Sequence, residues 1–238
     1  YETYDNNRST RIRNLINSFD TIDYNTFKQI KYDNKLPKPL NYNFLDINVI
    51  WEIDPLKYPK LSDVILNIQN WDMATDSNSV GAANYAVLYY TLINNFKGIK
   101  HKKIFDKIEI IDLITQTKNH LLEHFGSVNI KLGDFQKLVR GNKEIGIFGL
   151  PDVITAMKGT KYKDGKIKIT HGESYISLVK FKDDKVEIES IISYGASDNP
   201  SSKHYNDQMD LYSKFKTKKM SLDKKEVYNK GVKVYNPK

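Results

Sequence analysis

The period of the hydrophobic pattern changes near Gly126, and this change limits the fold more than any single motif does. Ahead of it, apolar residues recur with the spacing of one helical face. Ile12, Leu15, Ile16 and Phe19 mark an amphipathic helix near the amino end. Thr21 or Asp23 offers an N-cap to a short helix around Phe27 and Ile30, which Pro37 and Pro39 break. Leu61, Val64, Ile65, Ile68 and Trp71 line a further face, and Ser79 caps a helix running through Tyr85, Leu88 and Leu92 to Phe96. The span 105–125 carries a long helical pattern closed by Gly126, a residue suited to the C′ position.

Beyond Gly126 the period falls to two. Lys166-Ile167-Lys168-Ile169 alternates, and so do 174–181 and 186–192. Turn signals at Lys163-Asp164-Gly165 and Lys182-Asp183-Asp184 separate these runs. Two short helical patterns follow, at 206–215 and 222–229. Helices first and strands second predict an α+β fold: a helical first half, an antiparallel β meander and short C-terminal helices. The switch divides the chain into 1–126, mainly helical, and 127–238, β-rich, expected to form one continuous unit.

Composition narrows the function classes. No run approaches the length of a membrane helix. The chain has no cysteine, which excludes disulfides, thiolate metal sites and a cysteine nucleophile. Its 37 Lys and Arg exceed its 29 Asp and Glu, a net +8, but the lysines are spread along the chain. The densest basic run, 214–225, includes Asp223 and no nucleic-acid motif accompanies it, so it reads as solvated surface.

Residue by residue, the chemistry is sparse. His120 and His124 share a helix face, yet Leu121 stands where a zinc-protease helix carries Glu. His171-Gly172-Glu173-Ser174 places a base, an acid and a hydroxyl together, but Ser174 leads into a strand and lacks the glycine of a nucleophile elbow. Asp72 and Asp76 precede a helix start, where acids are favoured. No cofactor or metal is indicated.

Six segments in order carry more. Arg8-Ser9-Thr10-Arg11-Ile12 comes first, then Trp71-Asp72 with Asp76, Ser79 and Ala82. Gly133-Asp134-Phe135-Gln136-Lys137-Leu138-Val139-Arg140-Gly141 and Gly149-Leu150-Pro151-Asp152 follow. Gly172-Glu173-Ser174-Tyr175 and the pair Ser193-Tyr194-Gly195-Ala196-Ser197, Ser202-Lys203-His204-Tyr205-Asn206-Asp207-Gln208 complete the set. Together they resemble the penicillin acylase family, in a pattern close to acyl-homoserine lactone, aculeacin-type and cephalosporin acylases. Leu132 and Glu173 depart from it, standing where Trp and Asp are usual.

The resemblance implies an N-terminal nucleophile hydrolase with an αββα fold in the intact protein. Such a precursor cleaves itself into α and β chains. The new N-terminal Ser attacks an amide carbonyl, its own α-amine serves as base, and a backbone amide with an Asn stabilises the oxyanion. This chain resembles the later part of a β chain, beginning at Tyr1 with its first methionine at Met73. Nucleophile and oxyanion Asn are therefore expected upstream. The resemblance assigns one supporting catalytic role here, to Arg8, and none to Asp207, Gln208, Arg140 or His204, which it leaves structural. Its implied partners are an α chain, the first part of the β chain and a small acylated amine, with export to the periplasm or outside. The chain alone is expected to be inert. The competing reading is a non-enzymatic basic binding module for an acidic partner.

Overall fold

In a computed structural model, residues 5–96 and 101–231 are described. The helices begin where the caps require. Asn6 accepts from Ser9 N and starts α1 (Asn7–Asn17), and Asp23 accepts from Thr26 N at the start of α2 (Tyr24–Lys31). A two-residue strand, β1 (Leu45–Asp46), and short 3₁₀ turns lead to α3 (Ser62–Gln69) and α4 (Val80–Asn95). Ser79 caps α4 through Ala82 N, as its position predicts. Strand β2 (Lys103–Ile104) pairs parallel with β1. Then α5 (Lys107–Phe125) opens on an Asp106–Glu109 capping box and closes on Gly126 in the left-handed conformation.

Helix α4 is apolar nearly all round, and nine of its sixteen residues are buried, which places it centrally. Val64, Ile65 and Ile68 of α3 pack on it from one side, and Ile110, Leu113, Ile114 and Leu121 of α5 from another. Each such side chain contributes about 1.5–3 kcal/mol by leaving water. One turn of helix, α6 (Leu132–Phe135), leads into the strands.

Four strands form one sheet in the order β4-β3-β6-β5: β3 (Gln136–Arg140), β4 (Lys143–Gly146), β5 (Met157–Lys161) and β6 (Ile167–Gly172). Strands β3 and β6 run parallel and the other pairs antiparallel. A separate antiparallel sheet holds β7 (Tyr175–Lys182), β8 (Lys185–Ile192) and β9 (Lys218–Met220). The 166–169 run therefore belongs to a different sheet from the 174–192 meander. Alternation specifies which face is buried, not which strand is the neighbour. Asp183 and Asp184, at φ 48° and 60°, form the two-residue turn between β7 and β8. The C-terminal helical patterns appear as α7 (Met209–Tyr212) and α8 (Lys224–Lys230).

The chain divides into two compact units, Tyr1–Gly172 and Glu173–Lys238. Each leaves apolar surface in water. In the first, Ile16, Ile22 and Phe27 are exposed on and between α1 and α2. In the second, Tyr175, Val179, Phe181 and Val186 are exposed on one face of β7–β8. Among the described residues no helix is long and apolar enough to cross a membrane.

Candidate functional site

Arg8 sits in the first turn of α1. Its Nε donates to the backbone oxygen of Val153 at 3.0 Å. Beside it, buried Asn7 donates to one Asp152 carboxylate oxygen through both its backbone N and its Nδ2, each at 3.0 Å. The Asn7 Oδ1 accepts from Asn41 N at 2.6 Å. The first and fourth signature segments thus meet, each through a residue flanking the other, across 145 residues. Asp152, at φ 67°, turns the chain there. Arg8, exposed overall, joins Asp152, Lys158 and His171 in the wall of a cavity of about 190 Å³. This cavity is the candidate site.

The second arginine of the segment has a different task. Arg11 grips Asp33 with two bonds, Nε to Oδ1 at 2.9 Å and Nη2 to Oδ2 at 2.6 Å. The next residue, Asn34, holds the Trp71-Asp72 segment, donating to Asp76 Oδ1 at 2.7 Å and accepting from Thr75 N and Oγ1. That strip then receives two more signature segments. Gly133 N donates to Ser77 O, Leu132 N to Ser79 O, and Gly149 N to Thr75 O. Asp72 and Asp76 therefore shape the approach to α4, while Ser79 alone caps it through a side chain.

The second unit carries the last signature segment by itself. Gln208 reaches back, its Oε1 accepting from Ile192 N at 3.1 Å and its N donating to Tyr194 O at 2.9 Å. His204 Nδ1 and Asp207 Oδ2 pair at 2.7 Å, and Ser197 N donates to His204 O. These contacts lock the loop that follows β8. Gln208 occupies the N-cap position of α7, but its side chain makes no cap bond, so it anchors the loop rather than capping the helix.

The other candidates separate. His171 Nδ1 pairs with its neighbour Thr170 Oγ1 at 2.9 Å. His120 and His124 do lie together, rings 4.5 Å apart, but among the described residues no three metal-ligating side chains converge. Asn7 and Lys158, at the candidate site, carry no sequence signal beyond their nearness to motif residues. Asn7's side-chain amide gives one Nδ2 hydrogen to Asp152, and its Oδ1 accepts from Asn41 N. Tyr1 lies outside the described residues.

Residues 1–229 match the model of the penicillin amidase family. The chain belongs to the penicillin amidase family. An acyl-homoserine lactone acylase PvdQ of Pseudomonas syringae pv. syringae is 34% identical over 87 residues, covering 35% of this chain and 11% of that relative. One of Pseudomonas fluorescens is 29% identical over 85 residues, covering 34% and 11%. The matched stretch thus spans about a ninth of these curated relatives' length. A solved thermostable penicillin G acylase from Alcaligenes faecalis aligns over all of this chain and 54% of its own, at 10% identity and a TM-score of 0.39.

Within this penicillin amidase family chain, the Asn7–Asp152 contact has an electrostatic consequence. Burial holds the Asp152 carboxyl above its ordinary value, against the pull of the two Asn7 donors and the Arg8 charge. A carboxyl raised in the folded state binds its proton more tightly folded than unfolded. Its contribution is present below the ordinary Asp range and is lost as pH rises through the folded value. Arg8→Gln removes one downward pull, so the loss should move to higher pH. Urea unfolding midpoints across the acid range check this; a loss at unchanged or lower pH counts against the pairing.

Proposed function

We propose that the intact protein hydrolyses the amide bond between an acyl chain and an amine, using an N-terminal Ser nucleophile outside this sequence. The chain is then the later part of a β chain whose partners are an α chain and the preceding β-chain residues. The observation that carries this reading is the tether of Arg8. It pins a signature arginine by Nε to Val153 O at the wall of a small cavity. A free α-amine, with an ordinary pKa near 8, accepts a proton at neutral pH where a lysine does not. Oxyanion donors then stabilise charge that develops only in the transition state. Arg8 serves that machinery as a positioning residue.

Two further facts support the reading. Among the described residues, the hydroxyl–imidazole pair at the cavity joins sequence neighbours on a strand, Thr170 and His171, without an acid partner to orient the ring. The exposed apolar residues of α1–α2 and β7–β8 are surfaces that further polypeptide would cover. By the same resemblance the intact protein is exported. The test is direct: the 238-residue chain is assayed on an acyl-homoserine lactone and on a penicillin. No turnover above buffer is expected, and robust turnover would overturn an outside nucleophile.

A further inference from the structure

A second cavity, of about 380 Å³, lies away from Arg8, between α4, α5 and the turn joining β5 to β6. Its volume falls in the range that holds a small organic ligand. Its walls have an uneven character. Among the described residues its lining includes Lys161, Lys166, His120 and His124 and no carboxylate. Val87, Phe135 and Ile167 supply apolar wall.

The histidines are held rather than loose. His120 is half-buried, and its Nε2 lies 2.7 Å from the backbone oxygen of Gly165. A carbonyl only accepts, so the proton sits on Nε2 and Nδ1 is left to take a second one. His124 packs directly on Gly165, at a spot where a Cβ would collide with its ring. His120 also meets Phe135 edge-on at 6.0 Å between centroids. Desolvation, chiefly, lowers the His120 pKa; His124 and Lys161 push it the same way, against the Gly165 hydrogen bond and the Glu123 charge. The cations are only weakly answered. Lys166 has Asp164 at 3.7 Å, an exposed partner, and Lys161 has no ion pair among the described residues. Glu144, nearby on β4, is taken by Lys163 at 3.0 Å and by Tyr162. Two lysines that carboxylates answer only weakly gain from an anion, and the apolar wall gains from a ring or short chain attached to it.

The geometry points to a binding site for a small organic carboxylate, its anionic group between Lys161, Lys166 and the two histidines and its apolar body on Phe135 and Ile167. This site is independent of the amide-hydrolase reading and stands or falls without it. The test titrates the full chain, its five histidines labelled at Cε1, with benzoate. Benzamide serves as the neutral isostere and inorganic phosphate as an anion without a body. Benzoate should shift the His120 and His124 resonances, identified through H120Q and H124Q, to saturation. The K161Q/K166Q double variant should weaken binding about tenfold, the effect of losing charge-assisted contacts. Both lysines are at the surface, and an unchanged melting curve certifies the variant's fold. Three results overturn the proposal: no saturable shift, equal binding of benzamide, or phosphate binding as tightly as benzoate. Undiminished benzoate binding by the folded double variant overturns it as well.

Discussion

Gly149→Ala should destabilise the first unit by about 3 kcal/mol or more, because two independent penalties coincide there. Gly149 sits at φ +85°, where a side chain is strained. A Cβ would also run into the backbone oxygen of Thr155 and come within 2.7 Å of Met157 Cγ. The backbone cannot yield, since Gly149 N donates to Thr75 O at 2.9 Å and Gly149 O accepts from Gln136 Nε2 at 2.8 Å. Thr75, Gln136 and Thr155 are all fully buried, so a shift would break bonds that water cannot replace. Gly126→Ala is the control. Gly126 has a similar φ of +67° but no atom within 4 Å of its Cβ position. It should lose only the conformational part, about 1 kcal/mol. Urea unfolding of both variants separates the terms. Equal losses would mean that the clash contributes nothing and that the signature turn is looser than its hydrogen bonds imply.

The same residues explain what was legible beforehand. Helix α5 could be read because its apolar spacing is long and Gly126 marks its end locally. The β7–β8 hairpin could be read because each strand has one exposed face and the Asp183-Asp184 turn fixes the register. Strand β3 was hidden. Gln136 is a fully buried polar residue whose Nε2 serves the backbone oxygens of Phe148 and Gly149, and a polar residue in the inward position breaks the apolar alternation. The parallel pairing of β3 with β6 was hidden too, because neither strand signals its neighbour and 26 residues separate Arg140 from Ile167.

Arg8 illustrates the limit at the candidate site. The motif located it, but only the fold shows that Nε is spent on Val153 O and that Asn7 engages Asp152 beside it. Nothing in the local sequence announces contacts made 145 residues away.

Those contacts set the second large effect. In the intact protein, Arg8→Ala should lower kcat by about a hundredfold while leaving KM within about twofold, the signature of lost positioning. The tether argues for this split. Arg8 is held through Nε, which directs its guanidinium along the cavity wall. Arg8→Lys separates placement from charge: lysine keeps the charge and loses the Nε–H that Val153 O accepts. It should therefore recover part of kcat but not all of it. A purely structural Arg8 behaves otherwise. Both variants would then lower the unfolding midpoint, and each would keep the parent kcat per folded molecule. Full rescue by lysine would assign the effect to charge alone and remove the tether from the mechanism. An unchanged kcat in folded Arg8→Ala would remove Arg8 from it altogether.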